Sequence, residues 1–243
     1  MNRVFYDEYG NRKVISSSMK ILYDEDDNKL LLNTENGIVG YGLYGVVYKI
    51  NEDTCLKYIT NDHNSHPEVI KTIMKLDLAS FYKIYKLLYD CNNDFSGYIM
   101  KYYEEEEIDI TTMPTDYTLD NLNNINKDIK TITDNGILLK DLHSGNSIIN
   151  NDKITIIDVD NSMFYCDENL LKKNIQLIYS LFKEIYIDHI EKYHLVTLDE
   201  LRTIRKLFNY DNSIYNELKN YKYPIDYIKK KSLEPTKYTM RKY

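Results

Sequence analysis

Two carboxylates and an amide in the middle of the chain have the chemistry and spacing of a metal-assisted transfer site. Asp141 and Asn146 lie five residues apart in the segment Leu139-Lys140-Asp141-Leu142-His143-Ser144-Gly145-Asn146, and Asp158 follows twelve residues after the amide. The two apolar runs between Asn146 and Asp158 predict a hairpin that can bring all three side chains to one face. One carboxylate would then accept the proton of a hydroxyl group, while Asn146 and Asp158 supply oxygen ligands to Mg²⁺. An Asp/Asn-rich turn is the structural alternative in a chain this rich in asparagine.

A glycine-rich segment closer to the N-terminus has the chemistry of a phosphate-binding loop. Residues 40–47 read Gly-Tyr-Gly-Leu-Tyr-Gly-Val-Val and fit G-x-G-x-x-G-x-V. Such glycines let a strand–turn–strand backbone approach a triphosphate and present its N–H groups, although a tight turn is an equally good explanation of the segment alone. Lys57 follows ten residues after Val47, where it would reach the α- and β-phosphates. Glu68, eleven residues further on, opens a predicted helix and would pair with this lysine.

Apolar periodicity predicts the elements that carry these residues, and their order predicts an α+β protein. Short apolar runs separated by turn residues predict strands, and a three-to-four-residue spacing predicts helices. The strands are predicted at 30–32 with 38–39, 46–50, 55–59, 82–89, 98–102, 147–149 and 154–157. The helices are predicted over 67–78, from about 115 to Gly136, over 169–187, and in shorter pieces after Leu198.

The character of the chain changes twice, which predicts three regions. Residues 1–29 are polar, end in an acidic run, and are interpreted as an N-terminal extension or peripheral hairpin. Residues 30–103 are rich in predicted strands, and residues 104–243 are mainly helical. The last region ends in a basic tail, because eight basic residues stand against two acidic ones from Lys219 onward.

From about Leu30 to Ile187, the motifs and their order resemble the protein-kinase superfamily. The resemblance implies a two-lobed fold with a small antiparallel β N-lobe carrying one helix and a mainly helical C-lobe. ATP and Mg²⁺ are the cofactors that it implies, held between the lobes. Gly40, Gly42 and Gly45 would cover the phosphates, and Glu68 would hold Lys57 against them. Replacing Lys57 with alanine is then expected to weaken phosphate binding and to leave the fold intact.

The same resemblance implies the remaining site residues. Val47 and Cys55 would lie above the adenine and Ile148 below it, with Met100 as gatekeeper. The backbone groups of Lys101, Tyr102 and Tyr103 would bind the adenine edge. Asp141 would orient and deprotonate the acceptor hydroxyl, while Asn146 and Asp158 would hold the metal.

Several positions depart from the kinase pattern and leave the acceptor class open. His-Arg-Asp reads Leu139-Lys140-Asp141, and Asp-Phe-Gly reads Asp158-Val159-Asp160. Asp-Leu-His-x-Gly-Asn is similar to the turn of aminoglycoside- and choline-kinase-like enzymes. The following helix, around 175–186, lacks the aspartate usual there, and the short stretch before it implies a reduced activation segment.

We expect a protein serine/threonine kinase, with a small-molecule phosphotransferase and a nucleotide-binding pseudokinase as the alternatives. The acidic run Glu104–Glu107 would attract a basic acceptor, either a protein substrate or an aminoglycoside, and a solvated linker is the structural alternative. A net charge of −7 argues against a nucleic-acid partner. No apolar stretch reaches membrane-spanning length, no ordinary signal peptide is evident, and three scattered cysteines predict a reducing compartment. We therefore expect a cytoplasmic protein, or one delivered to a host cytosol by another route.

Overall fold

The chain folds as an α+β protein in which a curled antiparallel sheet precedes most of the helices. The computed structural model describes residues 3–6, 12–15, 19–34, 37–42, 44–60, 65–104, 113–150, 153–192, 197–199, 202 and 217–233. The first nine strands are β1 (Arg3–Tyr6), β2 (Arg12–Ile15), β3 (Met19–Asp24), β4 (Lys29–Asn33), β5 (Ile38–Tyr41), β6 (Gly45–Lys49), β7 (Thr54–Ile59), β8 (Ile84–Tyr89) and β9 (Phe95–Lys101).

Seven of these strands form the curled sheet, in the order β4-β3-β8-β9-β7-β6-β5, and β1 pairs with β2 as a separate hairpin. The predicted meander is confirmed for β5, β6 and β7, which pair antiparallel in succession. The predicted strand at 30–32 lies instead at the opposite edge, within β4. Because β3 pairs with both β4 and β8, residues 19–29 form part of a hairpin at the edge of this sheet.

The sheet has two apolar faces, and strand β7 contributes to both. Side chains alternate along a strand, so Cys55, Lys57 and Ile59 point to one side while Leu56 and Tyr58 point to the other. Cys55 and Ile59 join the main core, which continues into the helices, whereas Leu56 and Tyr58 join a smaller cluster. Lys57 is therefore placed on the side of the sheet that faces the rest of the molecule.

The described helices are α1 (Pro67–Met74), α2 (Thr115–Asp134), α3 (Leu170–Lys192) and α4 (Pro224–Leu233). Helix α2 ends before Gly136 as predicted, whereas α1 ends four residues earlier than its apolar pattern suggests. Ile125, Ile129 and Ile132 of α2 are buried in the main core with Ile178 and Leu181 of α3. Full burial of each such side chain contributes about 1.5–3 kcal/mol. Within the described residues, no helix is long and apolar enough to cross a membrane.

A hairpin after α2 connects the helical region to the sheet. Its strands are β11 (Ser147–Asn150) and β12 (Lys153–Ile156), as predicted, while β10 (Ile137–Leu138) and β13 (Met163–Phe164) form a short pair that was not predicted. Ile156 accepts a backbone hydrogen bond from Tyr82 and donates one to Ser80, at 2.9 and 2.8 Å. The Ser80 N–H also donates to the buried Asp128 of α2, at 2.6 Å. These contacts fix the position of the residues that follow β12 relative to the sheet.

Candidate functional site

Lys57 meets two carboxylates on the core face of the sheet. Its Nζ lies 2.6 Å from Oδ2 of Asp158 and 2.6 Å from Oδ2 of Asp160. The side chain of Lys57 is 9% exposed, that of Asp160 3%, and that of Asp158 34%. Burial alone would lower the pKa of Lys57, but the charges of Asp160 and Asp158 outweigh it and raise the pKa above its ordinary value. The lysine is therefore an ammonium held by two anions.

Asp160 is further fixed by two buried tyrosines. The Tyr98 hydroxyl donates to Oδ1 of Asp160 at 2.7 Å, and the Tyr82 hydroxyl donates to the Tyr98 oxygen at 3.0 Å. Burial raises the pKa values of both phenols, which therefore remain protonated donors. Burial also raises the pKa of Asp160, while Lys57 and Tyr98 act in the opposite direction. Oδ1 of the carboxylate thus accepts a hydrogen bond, and Oδ2 forms the ion pair with Lys57.

Two glycines allow the neighbouring strands to approach β7 beside Lys57. A Cβ on Gly45 of β6 would lie 2.8 Å from the Tyr58 carbonyl oxygen and 3.4 Å from Cε of Lys57. A Cβ on Gly97 of β9, where φ is +148°, would lie 2.0 Å from the Lys57 carbonyl oxygen. Gly45 therefore has a packing role as well as its predicted position near phosphate, and Gly40 and Gly42 have room for a side chain.

The predicted base and the predicted metal ligands are linked through the backbone. Nδ2 of Asn146 donates to the Asp141 carbonyl oxygen at 2.6 Å, and the Ile157 N–H donates to the Asn146 carbonyl oxygen at 2.9 Å. Ile157 directly precedes Asp158, so the loop that carries Asp141 is connected to the residue that binds Lys57. Asp141 and Asp158 both have left-handed φ values, +58° and +63°. A non-glycine residue is held there only by its surroundings, at a cost of about 1–3 kcal/mol.

The Asp141 carboxylate is exposed and oriented by one amide. Its side chain is 49% exposed, and Oδ2 accepts a hydrogen bond from Nδ2 of Asn161 at 2.9 Å. Nε2 of His143 lies 3.9 Å from Oδ1, beyond hydrogen-bond distance. A carboxylate in this setting can accept a proton from a group that arrives from solvent.

Helix α3 supports the Asp141 loop at both ends. The buried Asn174 accepts the Leu139 N–H at 3.0 Å and donates to the Ile137 carbonyl oxygen at 2.9 Å. Toward the other end of the loop, the Ser144 N–H donates to Glu184 at 3.3 Å. Asn174 thus braces the start of the loop that carries Asp141.

No protein-family model matches the chain, and no curated protein matches it significantly.

The residues predicted around an adenine share a side of the sheet with Lys57. Cys55 and Met100 are buried there, and Val47 packs against the same core. Burial raises the pKa of the Cys55 thiol to about 11, so Cys55 is a neutral lining residue and not a nucleophile. Ile148 is half-buried on β11.

Two backbone N–H groups of the segment predicted to bind the adenine edge already donate hydrogen bonds within the protein. The Lys101 N–H donates to the Lys83 carbonyl oxygen and the Tyr102 N–H to that of Asp53, both at 2.8 Å. These two donors are therefore not available to a base without local rearrangement. Tyr103 is half-buried at the end of this segment and packs against the core.

Two acidic predictions have different outcomes. Glu68 does not hold Lys57: it is exposed and lines a surface groove with Glu25 and Lys71, which pair at 2.7 Å. The spacing along the chain correctly places Glu68 in the first turn of a helix. It does not determine where that turn lies relative to the sheet. Of the acidic run Glu104–Glu107, only Glu104 is within the described residues, and it is exposed.

The donor set at Asp158 and Asn146 fits magnesium. Among the described residues, no group of three or more His, Cys, Asp or Glu side chains is arranged to hold a metal. Mg²⁺ does not need such a cage, because it is commonly bound by one or two carboxylates together with water and phosphate oxygens. Asp158 supplies a partly exposed carboxylate, and Asn146 uses its amide nitrogen in the loop, which leaves its side-chain oxygen as the atom suited to a cation.

Among the contributors missed by reasoning from the sequence are Asp160, Tyr98, Asn161 and Asn174. Asn174 had a visible signal, since it is a polar residue within the apolar stripe formed by Leu170, Ile178 and Phe182 of α3. The other three act through contacts between distant segments, for which the local pattern carries no signal.

Proposed function

We propose that this protein is an ATP- and Mg²⁺-dependent kinase of the two-lobed, protein-kinase-like type that transfers the γ-phosphate to serine or threonine hydroxyls of a protein. The observation that carries the proposal is the convergence of Lys57, Asp158 and the Asp141–Asn146 loop, which come from separate parts of the chain. A buried ammonium, a partly exposed carboxylate paired with it, and an exposed carboxylate on a loop bonded to the same segment are groups that suit a phosphate chain with an acceptor at its end.

Lys57 is the group best placed to bind phosphate oxygens. A fixed ammonium in a poorly solvated place interacts with an anion more strongly than an exposed lysine does. Its partner Asp158 is the more exposed of its two carboxylates, so an incoming phosphate can take that place beside the lysine. Mg²⁺ held by Asn146 and Asp158 would neutralise charge on the phosphates. The left-handed conformation of Asp158 is compatible with a functional role for this turn.

Asp141 is the proposed general base. As the acceptor hydroxyl oxygen bonds to the γ-phosphorus, its proton passes to Asp141, and the bond to the β,γ-bridging oxygen breaks with its electron pair leaving on ADP. Asn161 fixes the orientation of the carboxylate at 2.9 Å, and the contact of Asn146 with the Asp141 backbone fixes the loop. Positioning of this kind accounts for much of the catalysis of phosphoryl transfer.

The surroundings of Asp141 favour a protein acceptor. An open groove beside it is lined by Leu138, Leu139, Lys140, Asp141, Lys173, Gln176, Leu177 and Ser180. Small-molecule sites usually enclose most of their ligand, whereas an open groove suits an extended segment of a protein. Lys140 and Lys173 place positive charge at this groove, which disfavours the basic acceptor that the acidic run predicts. Lys173 is itself paired with Asp167.

A small-molecule acceptor is the second candidate, and one observation favours it. Only residues 159–169 separate Asp158 from α3, and they include the two-residue strand β13. This leaves little chain to form the extended segment on which protein kinases bind peptides. A short turn of this kind is similar to those of the small-molecule phosphotransferases.

Transfer of labelled phosphate from ATP separates the two candidates. The wild-type protein is incubated with γ-labelled ATP and Mg²⁺, in one arm with acidic and basic protein substrates and in another with aminoglycosides and amino alcohols. We expect labelled phosphoserine or phosphothreonine on protein, and a loss of at least about a hundredfold in the rate for Asp141→Asn. Label on a small molecule alone would overturn the protein-acceptor assignment. Equal rates for the wild type and Asp141→Asn would show that Asp141 is not the base.

A further inference from the structure

The two carboxylates that bind Lys57 lie at the same distance from it but differ in their exposure to solvent and in their other contacts. Both have Oδ2 at 2.6 Å from Nζ, but the side chain of Asp158 is 34% exposed and that of Asp160 only 3%. Mg²⁺ and phosphate approach from solvent, so the two residues are not equally accessible to them. Equal distances therefore do not imply equal roles.

Asp160 is tied to the sheet by contacts that do not involve solvent. Tyr98 on β9 donates to its Oδ1 at 2.7 Å, and Tyr82, which precedes β8, donates to Tyr98 at 3.0 Å. Tyr98 is fully buried and Tyr82 is 3% exposed. Moving Asp160 away from Lys57 would leave the buried Tyr98 hydroxyl without its acceptor, and an unpaired buried donor costs free energy. These contacts therefore fix Asp160 in its position beside Lys57.

Asp158 can leave Lys57 more easily. It lies in the irregular segment after β12, and its side chain already has contact with solvent. A divalent cation can replace the lysine as its counter-charge without creating an unpaired buried group. Lys57 would keep one carboxylate after such an exchange, so it would remain in position.

We propose that Asp160 is the positioning residue that holds Lys57 permanently, and that Asp158 is the carboxylate exchanged between Lys57 and Mg²⁺. Asp160 thereby performs the role that the sequence pattern assigned to Glu68, which is exposed and lines a different surface. The exchange of Asp158 rests on the proposed function, whereas the holding of Lys57 by Asp160 concerns the protein without any ligand.

The ligand-free part is tested by NMR on protein labelled with ¹⁵N at the lysine side chains. A buried ammonium with fixed acceptors exchanges slowly and gives a distinct Nζ resonance, which Lys57→Arg assigns by its disappearance. We expect this resonance to be lost or strongly shifted in Asp160→Asn and to persist in Asp158→Asn and Glu68→Gln. A resonance that is lost in Glu68→Gln and kept in Asp160→Asn would overturn the proposal. This result does not depend on whether the protein binds ATP.

The exchange is tested by measuring the dissociation constant for ATP with EDTA and with Mg²⁺. Asp160→Asn is expected to weaken ATP binding about tenfold under both conditions, because a misplaced lysine affects the phosphate contact whether or not metal is present. Asp158→Asn is expected to bind ATP in EDTA at least as tightly as the wild type and to lose the strengthening by Mg²⁺. Glu68→Gln is expected to match the wild type throughout.

A milder variant covers the case in which Asp160→Asn does not fold. Tyr98→Phe removes one hydroxyl and keeps the charge of Asp160 and the aromatic packing. We expect it to weaken ATP binding severalfold and equally with EDTA and with Mg²⁺. Loss of the Mg²⁺ response in either Asp160→Asn or Tyr98→Phe would make Asp160 a metal ligand and contradict the proposal. Absence of ATP binding by the wild type itself would overturn the proposed function and the exchange, and the NMR result would still decide the role of Asp160.

Discussion

The sheet carries two lysine–aspartate clusters, and they are built for different purposes. Beside the β3–β4 turn, Lys86 of β8 pairs with Asp24, whose carboxylate also accepts the N–H groups of Asp26 and Asn28 at 3.0 and 2.9 Å. The Lys86 side chain is 46% exposed. On the core face, Lys57 is 9% exposed and has two carboxylates. The first cluster closes a hairpin turn, whereas the second joins a strand to a segment more than one hundred residues away.

The difference shows how a structural aspartate can be told from a candidate functional one. Lys86 and the turn N–H groups hold the pKa of Asp24 well below its usual range, and every one of these donors except Lys86 belongs to the turn. Asp90 caps the next hairpin in the same way, accepting from Asn92 and Asp94 at 2.8 and 3.0 Å. By contrast, Asp158 and Asp160 make their strongest contacts with Lys57, which no local turn requires.

The non-glycine residues with a left-handed backbone conformation fall into the same two groups, structural turns and the candidate site. Four non-glycine residues within the described part of the chain have positive φ. Asp27 and Asn93 have it in hairpin turns, where the residue donates its N–H to the aspartate three positions earlier, and where such conformations are common. Asp141 and Asp158 have it in the two segments that meet at Lys57 and Asn146. The same backbone strain therefore marks ordinary turns in one region and the candidate site in the other.

The largest effect is expected for removal of the core lysine. Lys57→Met leaves Asp158 and Asp160 side by side without their cation, so we expect the free energy of unfolding to fall by about 3–5 kcal/mol, as for other broken buried ion pairs. The sequence alone predicted an intact fold for the alanine replacement, but it gave no indication of how deeply the lysine is buried. Urea unfolding monitored by circular dichroism measures the change.

A second substitution checks the cause of that loss. Lys57→Met combined with Asp160→Asn removes one buried charge together with its partner, and we expect it to be more stable than Lys57→Met alone. Asparagine keeps an oxygen that accepts from Tyr98. If the double variant is no more stable than the single one, lost packing of the lysine side chain is responsible and not an unpaired charge.

The smallest effect is expected for the corresponding change at Lys86. Lys86→Met should lower the free energy of unfolding only slightly and much less than Lys57→Met, because Lys86 is 46% exposed and Asp24 keeps the turn N–H groups as donors. Parallel urea titrations of Lys86→Met and Lys57→Met make the comparison direct. Equal losses in the two variants would mean that burial does not distinguish the clusters.

The sequence predicted those parts of the structure that depend on local patterns. Helix α2, the β11–β12 hairpin and the β5–β7 meander followed from apolar periodicity and turn residues. The convergence of Asp141 and Asn146 followed from their closeness along the chain, which restricts where a loop can place them. Lys57 was identified by its distance from a glycine-rich turn.

The partners of Lys57 could not be obtained in the same way. Asp160 and Tyr98 reach it from two other segments, and their contact depends on how the sheet curls and how β12 is attached to it. Glu68 was placed beside Lys57 only because a helix follows β7, and spacing does not fix the position of a helix relative to the sheet. Contacts of this kind require the tertiary structure.

The central claim, that the Lys57 site binds Mg-ATP, is tested most directly by thermal unfolding of the wild-type protein with nucleotide. Ligand that binds only the folded state stabilises it by about 2.7 kcal/mol at one hundred times its dissociation constant, which corresponds to a rise in Tm on the order of 5 °C for a chain of this size. We predict such a rise with ATP and Mg²⁺ and a much smaller one with AMP, which lacks the β- and γ-phosphates. An unchanged Tm at millimolar ATP and Mg²⁺, or equal shifts with ATP and AMP, would contradict the assignment of Lys57 to phosphate binding.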